Sequence, residues 1–557
     1  MSTGEQPIVP KASLLGLPLE LRQQIYHEYF TVHGGYIHDG DSCKLVQANN
    51  QPIELSLRYA CRAIAHETGQ YPFTLNAITF STVYRQNWRK QARWADYIMD
   101  HHSSFQDAML LRLKRRITPE MYENPDLKYS QYIPIIRKGL KRSMASWDRF
   151  RDTVPEDSEE TEDSRAFKPL RELRSHPATS GRCWGSTVIS LSRVDKTIFF
   201  SRAVDFLLRQ VAEKHPREFS QAIEEILPGW TDSHSVSEFF GLTFDAWAIP
   251  PVDEVKNKLE ELQLSSLWQT PDGWRQLSDK LPGYTGPEYR YQYKMRLSAA
   301  AVAIKFLGQI SRQQRLCISK LVLNDDRNAI SSPESHVLGL IPFFQENTKL
   351  IVEHRLNLWR NILPTGANIA IAVEDQGLDL QGWDDVPKTH QARSVWFAKT
   401  VTNVIMNISK ALTEGLPLRS YSLTIEGDPD LNHATEFFST IMKPYIVWLT
   451  ANTDCVAQGI LLPPEHCNYP FDTRSSGKET TILRSNFTLD QPWNYKGIIE
   501  DSEDEIIGRS LESLLTGYGF EPEIVDVSTD ILDWMEIKRE NFLREDITKE
   551  ADGETAA

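Results

Sequence analysis

The chain has 557 residues, 40% of them hydrophobic and 25% charged, a composition close to that of an average globular protein. Collagen, coiled-coil, disulfide mini-protein and wholly disordered readings are therefore excluded, and the length predicts about three or four structural units. The 61 basic residues stand against 76 acidic ones, a formal net charge of −15, so phosphate backbones are repelled and no nucleic-acid partner is expected.

No apolar run reaches the roughly 18 residues needed to cross a membrane, so no membrane partner is expected. Met1 to Lys11 carries no apolar or Arg-rich leader, which predicts a cytoplasmic or nuclear protein that is not secreted. The six cysteines, Cys43, Cys61, Cys183, Cys317, Cys455 and Cys467, are widely separated and form no C-x-x-C pair. That spacing reads as reduced thiols and not as a disulfide framework.

In chain order, residues 1–12 read as a mobile tail. Leu17, Leu21, Ile25 and Tyr29 recur every four residues and predict one face of a helix, with Pro18 and Glu20 in its first turn. The Gly-, Asp- and Asn-rich stretch 33–50 reads as a loop. A second helix is predicted over 54–71, with Leu57, Cys61 and Ile64 inward, and a half-buried strand over 76–82, with Ile78 and Phe80 on one side. A helical pattern covers 88–117. Residues 152–177 include the acidic run 156–163 and read as a disordered linker. Further helices are predicted over 194–227, 297–310 and 396–414, and strands over 316–324, 369–373, 420–425 and 455–462. A helix followed by a strand therefore occurs three times, which points to an α/β layered body, but the uneven spacing gives no basis for a solenoid repeat. Near the carboxyl end, Ser502 and Glu505 form a capping box before Ile506 and Ile507; the acidic residues after Ser502 also resemble a kinase site.

Motifs that carry chemistry are scarce. The chain has no G-x-S-x-G elbow, phosphate loop, H-E-x-x-H or G-x-G-x-x-G pattern. His66-Glu67 lacks the second histidine of a zinc helix and reads as a surface pair. Cys455, His466 and Cys467 are three possible zinc ligands without the paired spacing of a structural site. No catalytic, cofactor-binding or metal-binding residue is assigned, and no enzyme activity or cofactor is expected. Between Arg85 and Arg142, 13 Lys/Arg against 6 Asp/Glu leave a local excess of 7 positive charges. Interleaved Trp88, Trp94, Tyr97 and Tyr132 could stack on bases, but the preferred reading is a solvated helix face that pairs with the acidic linker just downstream, or else a dock for an acidic protein.

One segment has a recognisable pattern. Residues 13–26, Ser-Leu-Leu-Gly-Leu-Pro-Leu-Glu-Leu-Arg-Gln-Gln-Ile-Tyr, followed by Leu57, Cys61-Arg62, Ile64, Glu67, Asn76 and Phe80, resemble the F-box-like proteins of filamentous fungi. A second stretch, from Ser335-His336 through Leu340-Ile341-Pro342-Phe343 and Gln345-Glu346-Asn347 to Arg355 and Leu358-Trp359-Arg360, is similar to a segment of large fungal proteins of the same kind. The resemblance implies an adaptor. Its helices would dock on the Skp-type subunit of a cullin–RING ubiquitin ligase through Leu17, Pro18, Leu21 and Ile25, and the remainder would recruit an unknown target. The alternatives are a standalone scaffold or regulatory protein whose F-box-like segment is internal core and, remotely, an enzyme of unrecognised type.

The expected fold is α+β, mixed and helix-dominated, with an N-terminal F-box-like helical module and short strand followed by a large α/β layered body. The expected divisions are a disordered tail (1–12), the F-box-like module (13–84), a basic helical segment (85–150), an acidic linker (151–180), a helical region (181–295), an α/β region (296–470), a C-terminal region with an amphipathic helix (471–547) and a disordered tail (548–557).

Overall fold

The computed structural model describes residues 13–121, 136–137, 140, 198–269, 275–276, 289–363, 391–442, 483–488 and 524–546. The readings at 152–177, 369–373, 455–467 and 502–507 lie outside them. The fold is a helix-dominated α+β arrangement built on a seven-stranded sheet.

The sheet begins in the N-terminal segment. Helix α1 (Leu19–Phe30) leads into strands β1 (Tyr36–Asp39) and β2 (Lys44–Gln47), an antiparallel hairpin. Here the structure departs from the loop expected at 33–50. Gly34 and Gly35 take positive φ (79° and 70°) to enter the hairpin, so the residues that look like loop punctuation are strand-entry residues. The helix expected over 54–71 is three short ones: α2 (Ser56–Tyr59), α3 (Arg62–Glu67) and α4 (Tyr71–Leu75). Extended backbone at Cys61 (φ −163°, ψ 165°) breaks the helix between α2 and α3. Pro72 sits in the first turn of α4, where a proline sacrifices no hydrogen bond.

Strand β3 (Ile78–Ser81) lies between β1 and β6 (Lys320–Asp325) and is parallel to both. The segment 13–84 thus shares its sheet with residues 240 positions downstream. The intervening chain contains α5 (Gln86–Arg112), α6 (Ile198–Lys214), α7 (Pro216–Ile226), α8 (Val236–Phe239) and α9 (Val252–Glu261), with short strands β4 (Arg275–Gln276) and β5 (Tyr289–Tyr293). The helix expected over 194–227 is divided between α6 and α7 at His215–Pro216, since a proline ring clashes with an interior helical turn. Helices α10 (Ala299–Gln309) and α11 (Arg312–Cys317) precede β6; Ser311 and Gln314 cap α11 reciprocally, turning the start of the strand expected at 316 into helix.

After α12 (Ile341–Glu346) come β7 (Ile351–Asn357), β8 (Gln391–Arg393), α13 (Ser394–Thr413), β9 (Tyr421–Glu426), β10 (Leu483–Ser485), β11 (Ile524–Asp526), α14 (Trp534–Arg539) and β12 (Phe542–Asp546). Strands β1, β3, β6, β7, β9 and β10 are neighbours in chain order and parallel throughout, with β2 at one edge. When every crossover advances in the same direction and keeps the usual right hand, the connections fall on one face. Burial follows this rule. Ile78, Phe80, Leu321, Leu323, Val352, Leu356, Leu423 and Ile425 turn into the core, while Thr79, Ser81, Asn324, Glu353, Arg355, Ser422 and Thr424 on the opposite face are only partly buried. Among the described residues, no helix is long and apolar enough to cross a membrane.

Candidate docking surface on the first helix

The residues around α1 divide into two sets. Tyr26 and Phe30 turn inward and, with Ile64 of α3, form a small core distinct from the main one, with Leu14, Leu55, Leu57, Tyr71 and Leu75 packed against it. Polar groups lock the helix in place. Arg22 donates twice to Glu67, from Nε to Oε2 (3.0 Å) and from Nη2 to Oε1 (2.7 Å), and a third time to the Leu17 carbonyl (2.6 Å). The Tyr26 hydroxyl donates to Glu67 Oε2 (2.8 Å). Hydrogen bonds from Arg22 and then Tyr26 hold the Glu67 carboxyl below the ordinary glutamate range. Behind the helix, buried Asn76 donates to the carbonyls of Phe30 (2.7 Å) and Pro72 (2.9 Å) and accepts from Val32 N–H (2.8 Å), tying the end of α1 to the start of β3.

The second set faces solvent. Leu21 is 45% exposed and Ile25 40%, and Leu15, Leu19 and Tyr29 are also exposed. Of the four docking residues read from the sequence, Leu21, Ile25 and Pro18 are exposed and Leu17 is half-buried. Pro18 occupies the position before the helix, one residue earlier than expected. The structure adds Leu15, Leu19 and Tyr59, the last 79% exposed. Their signal was in the sequence: Leu15 and Leu19 lie within the motif itself, and Tyr59 lies on the short α2. Six of the twelve exposed large hydrophobic side chains among the described residues lie between Leu15 and Tyr59. Such a concentration marks an interaction surface more often than a scatter of single residues does.

Elsewhere, sequence candidates take structural places. Trp94 and Tyr97 are buried in the core on α5 and offer no stacking platform. Arg112 pairs with Glu225 (2.8 Å) and Arg116 with Glu218 (3.2 Å), so at these two residues carboxylates of α7 take the place expected for the acidic linker, which lies outside the described residues. His66 is exposed while Glu67 serves the α1 clamp. Among the described residues, no group of three or more His, Cys, Asp or Glu side chains is placed to hold a metal.

One titratable cluster was not anticipated. His354 on β7 stands between Asp325 Oδ2 (Nε2, 2.8 Å) and the Tyr421 hydroxyl (Nδ1, 2.7 Å), while Asp325 Oδ1 accepts from Ala299 N–H at the start of α10 (2.6 Å). Burial, and then the charge of Asp325, push the Tyr421 phenol up, so its proton stays on oxygen. The adjoining cavity, between the sheet and α13, has about 60 Å³ of solvent space, room for roughly two waters. Every polar atom of the chain of three is satisfied, and its role is to bind β6, β7, β9 and α10 together. Comparison of the sequence with protein-family models, curated proteins and solved structures finds no match.

Proposed function

We propose that this chain is a non-catalytic F-box-like adaptor: α1 and its neighbours dock on a Skp-type subunit of a cullin–RING ubiquitin ligase, and the α/β body recruits a target. The observation that carries this reading is the apolar stripe Leu21–Ile25, with Leu15, Leu19 and Tyr59, exposed to solvent on a helix held rigidly from behind by Arg22, Tyr26 and Glu67. Preorganised apolar side chains supply affinity because burying them on a partner removes their surface from water without first ordering the helix. The scaffold alternative draws on β3, whose Ile78 and Phe80 belong to the main core, so part of the F-box-like segment serves the body's own sheet.

The test is binding of purified chain to a purified Skp-type subunit. Wild type is expected to form a complex that Leu21→Asp combined with Ile25→Asp abolishes, while the circular dichroism spectrum is kept. Equal binding by wild type and the double variant, or no binding by wild type, refutes the adaptor reading.

A further inference from the structure

Outside the docking helix, positive charge gathers at the carboxyl end of the sheet. Leu297 pairs with Val83, just past the end of β3. This brings Lys294 and Arg296 to the place where Asp326 and Arg327 follow β6 and Arg360 follows β7. The turn between α14 and β12 adds Glu540 and Asn541. Arg327 Nε pairs with Glu540 Oε2 (2.7 Å) and Arg360 Nη2 with Oε1 of the same carboxylate (3.3 Å). Buried Arg296 is committed to Asn541 Oδ1 (2.6 Å) and the Glu540 carbonyl (2.5 Å), and Arg327 also meets Asp326 (3.2 Å).

The charges in this cluster do not balance. Among the described residues, four cations, Lys294, Arg296, Arg327 and Arg360, share two carboxylates, Asp326 and Glu540, an excess of two positive charges. Among the described residues, the buried Nε of Arg360 has no hydrogen-bond partner, nor has the buried Oε2 of Glu540, whose contact with Arg327 is an ion pair only, and the Lys294 ammonium makes no ion pair. Burial and then the charge of Arg296 depress the Lys294 pKa, with Arg327 adding repulsion and Glu540 opposing it. A carboxylate already sits between Arg327 and Arg360, so the two guanidinium groups are arranged to receive an oxyanion.

We propose that Lys294, Arg327 and Arg360 bind a phosphomonoester dianion, either free or carried on a serine or threonine side chain. A phosphomonoester brings about −1.5 to −2 charges at pH 7, which matches the surplus, and its oxygens suit guanidinium donors. Glu540 is the internal competitor that the ligand must displace from the two arginines. The proposal does not depend on the adaptor reading, and the Leu21→Asp/Ile25→Asp variant keeps the affinity.

The test is calorimetric titration of the full chain, at low and fixed ionic strength, with inorganic phosphate, phosphoserine, a phosphoseryl peptide and its unphosphorylated counterpart. Saturable binding of the phosphorylated probes is expected. Arg360→Gln and Lys294→Gln are each expected to weaken it about tenfold or more, the loss of one charge-assisted contact. Glu540→Gln is expected to strengthen it, whereas a purely structural Glu540 leaves phosphate affinity unchanged. Tighter binding of the peptide than of inorganic phosphate assigns a modified protein as the source; equal binding assigns a free phosphate or small phosphomonoester. Lys294 is partly exposed, so Lys294→Gln carries the test should Arg360→Gln fail to fold. Absence of saturable phosphate binding, or affinity unchanged in the folded variants, overturns the proposal.

Discussion

Ile25 and Tyr26 are adjacent on α1, yet truncating each to alanine is expected to have opposite consequences. Tyr26 has no exposed surface and stands at the centre of the small core with Phe30 and Ile64, its ring edge-on to Tyr71 at 5.8 Å. Tyr26→Ala removes an aromatic ring from a site with few neighbours to close the gap, a loss of about 3–5 kcal/mol, and frees Glu67 of one hydrogen bond. Ile25 is 40% exposed. Complete burial of such a side chain is worth about 1.5–3 kcal/mol, so the buried remainder gives about 1 kcal/mol, and the better helix propensity of alanine returns about half of that. Because this core is separate from the main one, the damage from Tyr26→Ala should appear as local opening. Hydrogen exchange of α1 amides, combined with urea unfolding, measures both. Fast exchange across α1 with an almost unchanged global transition is expected for Tyr26→Ala, and near-native exchange for Ile25→Ala. If Ile25→Ala opens the helix as far as Tyr26→Ala does, the stripe is packed in solution and the reasoning fails.

Two further outcomes follow from the core. Burial holds the His102 imidazole down at about 4, against an ordinary value of 6.5, with only the Phe239 carbonyl at 3.4 Å to favour its charged form. The unfolded chain therefore takes up the proton first: this contribution is complete above about pH 6.5 and is lost as pH falls toward 4, about 3 kcal/mol in all. Urea midpoints at several pH values should fall less steeply for His102→Leu than for wild type across that window, and parallel curves would contradict it. Tyr421→Phe leaves His354 Nδ1 without its hydrogen-bond partner in a buried site and is expected to cost about 1–3 kcal/mol by denaturant titration. A change near zero would mean that cavity water replaces the hydroxyl.

Much of the secondary structure was legible where one periodicity dominates. Helices α1, α5, α10 and α13 and strands β3 and β9 fall close to their expected places because their apolar spacing has a single interpretation. Strand β7 escaped notice. It alternates Val352, His354 and Leu356 inward with Glu353 and Arg355 outward, so a histidine occupies a core position and its hydrophobic signal disappears. The β1–β2 hairpin was concealed by the glycines that permit its entry. At the candidate site, the four-residue spacing identified the stripe but could not say which side of the helix a partner was left to cover.

What the sequence determined by itself is local: where an apolar face recurs, where a proline opens or divides a helix, and the charge excess between Arg85 and Arg142. These depend on neighbours a few residues apart. The assignment of faces required the tertiary structure. Glu67, 45 residues from Arg22, pulls one side of α1 inward and leaves Leu21 and Ile25 in water. The gathering of Lys294, Arg327, Arg360 and Glu540 likewise exists only because parallel strands distant in sequence end at one edge, and no spacing rule along a chain encodes the balance of charges across that distance.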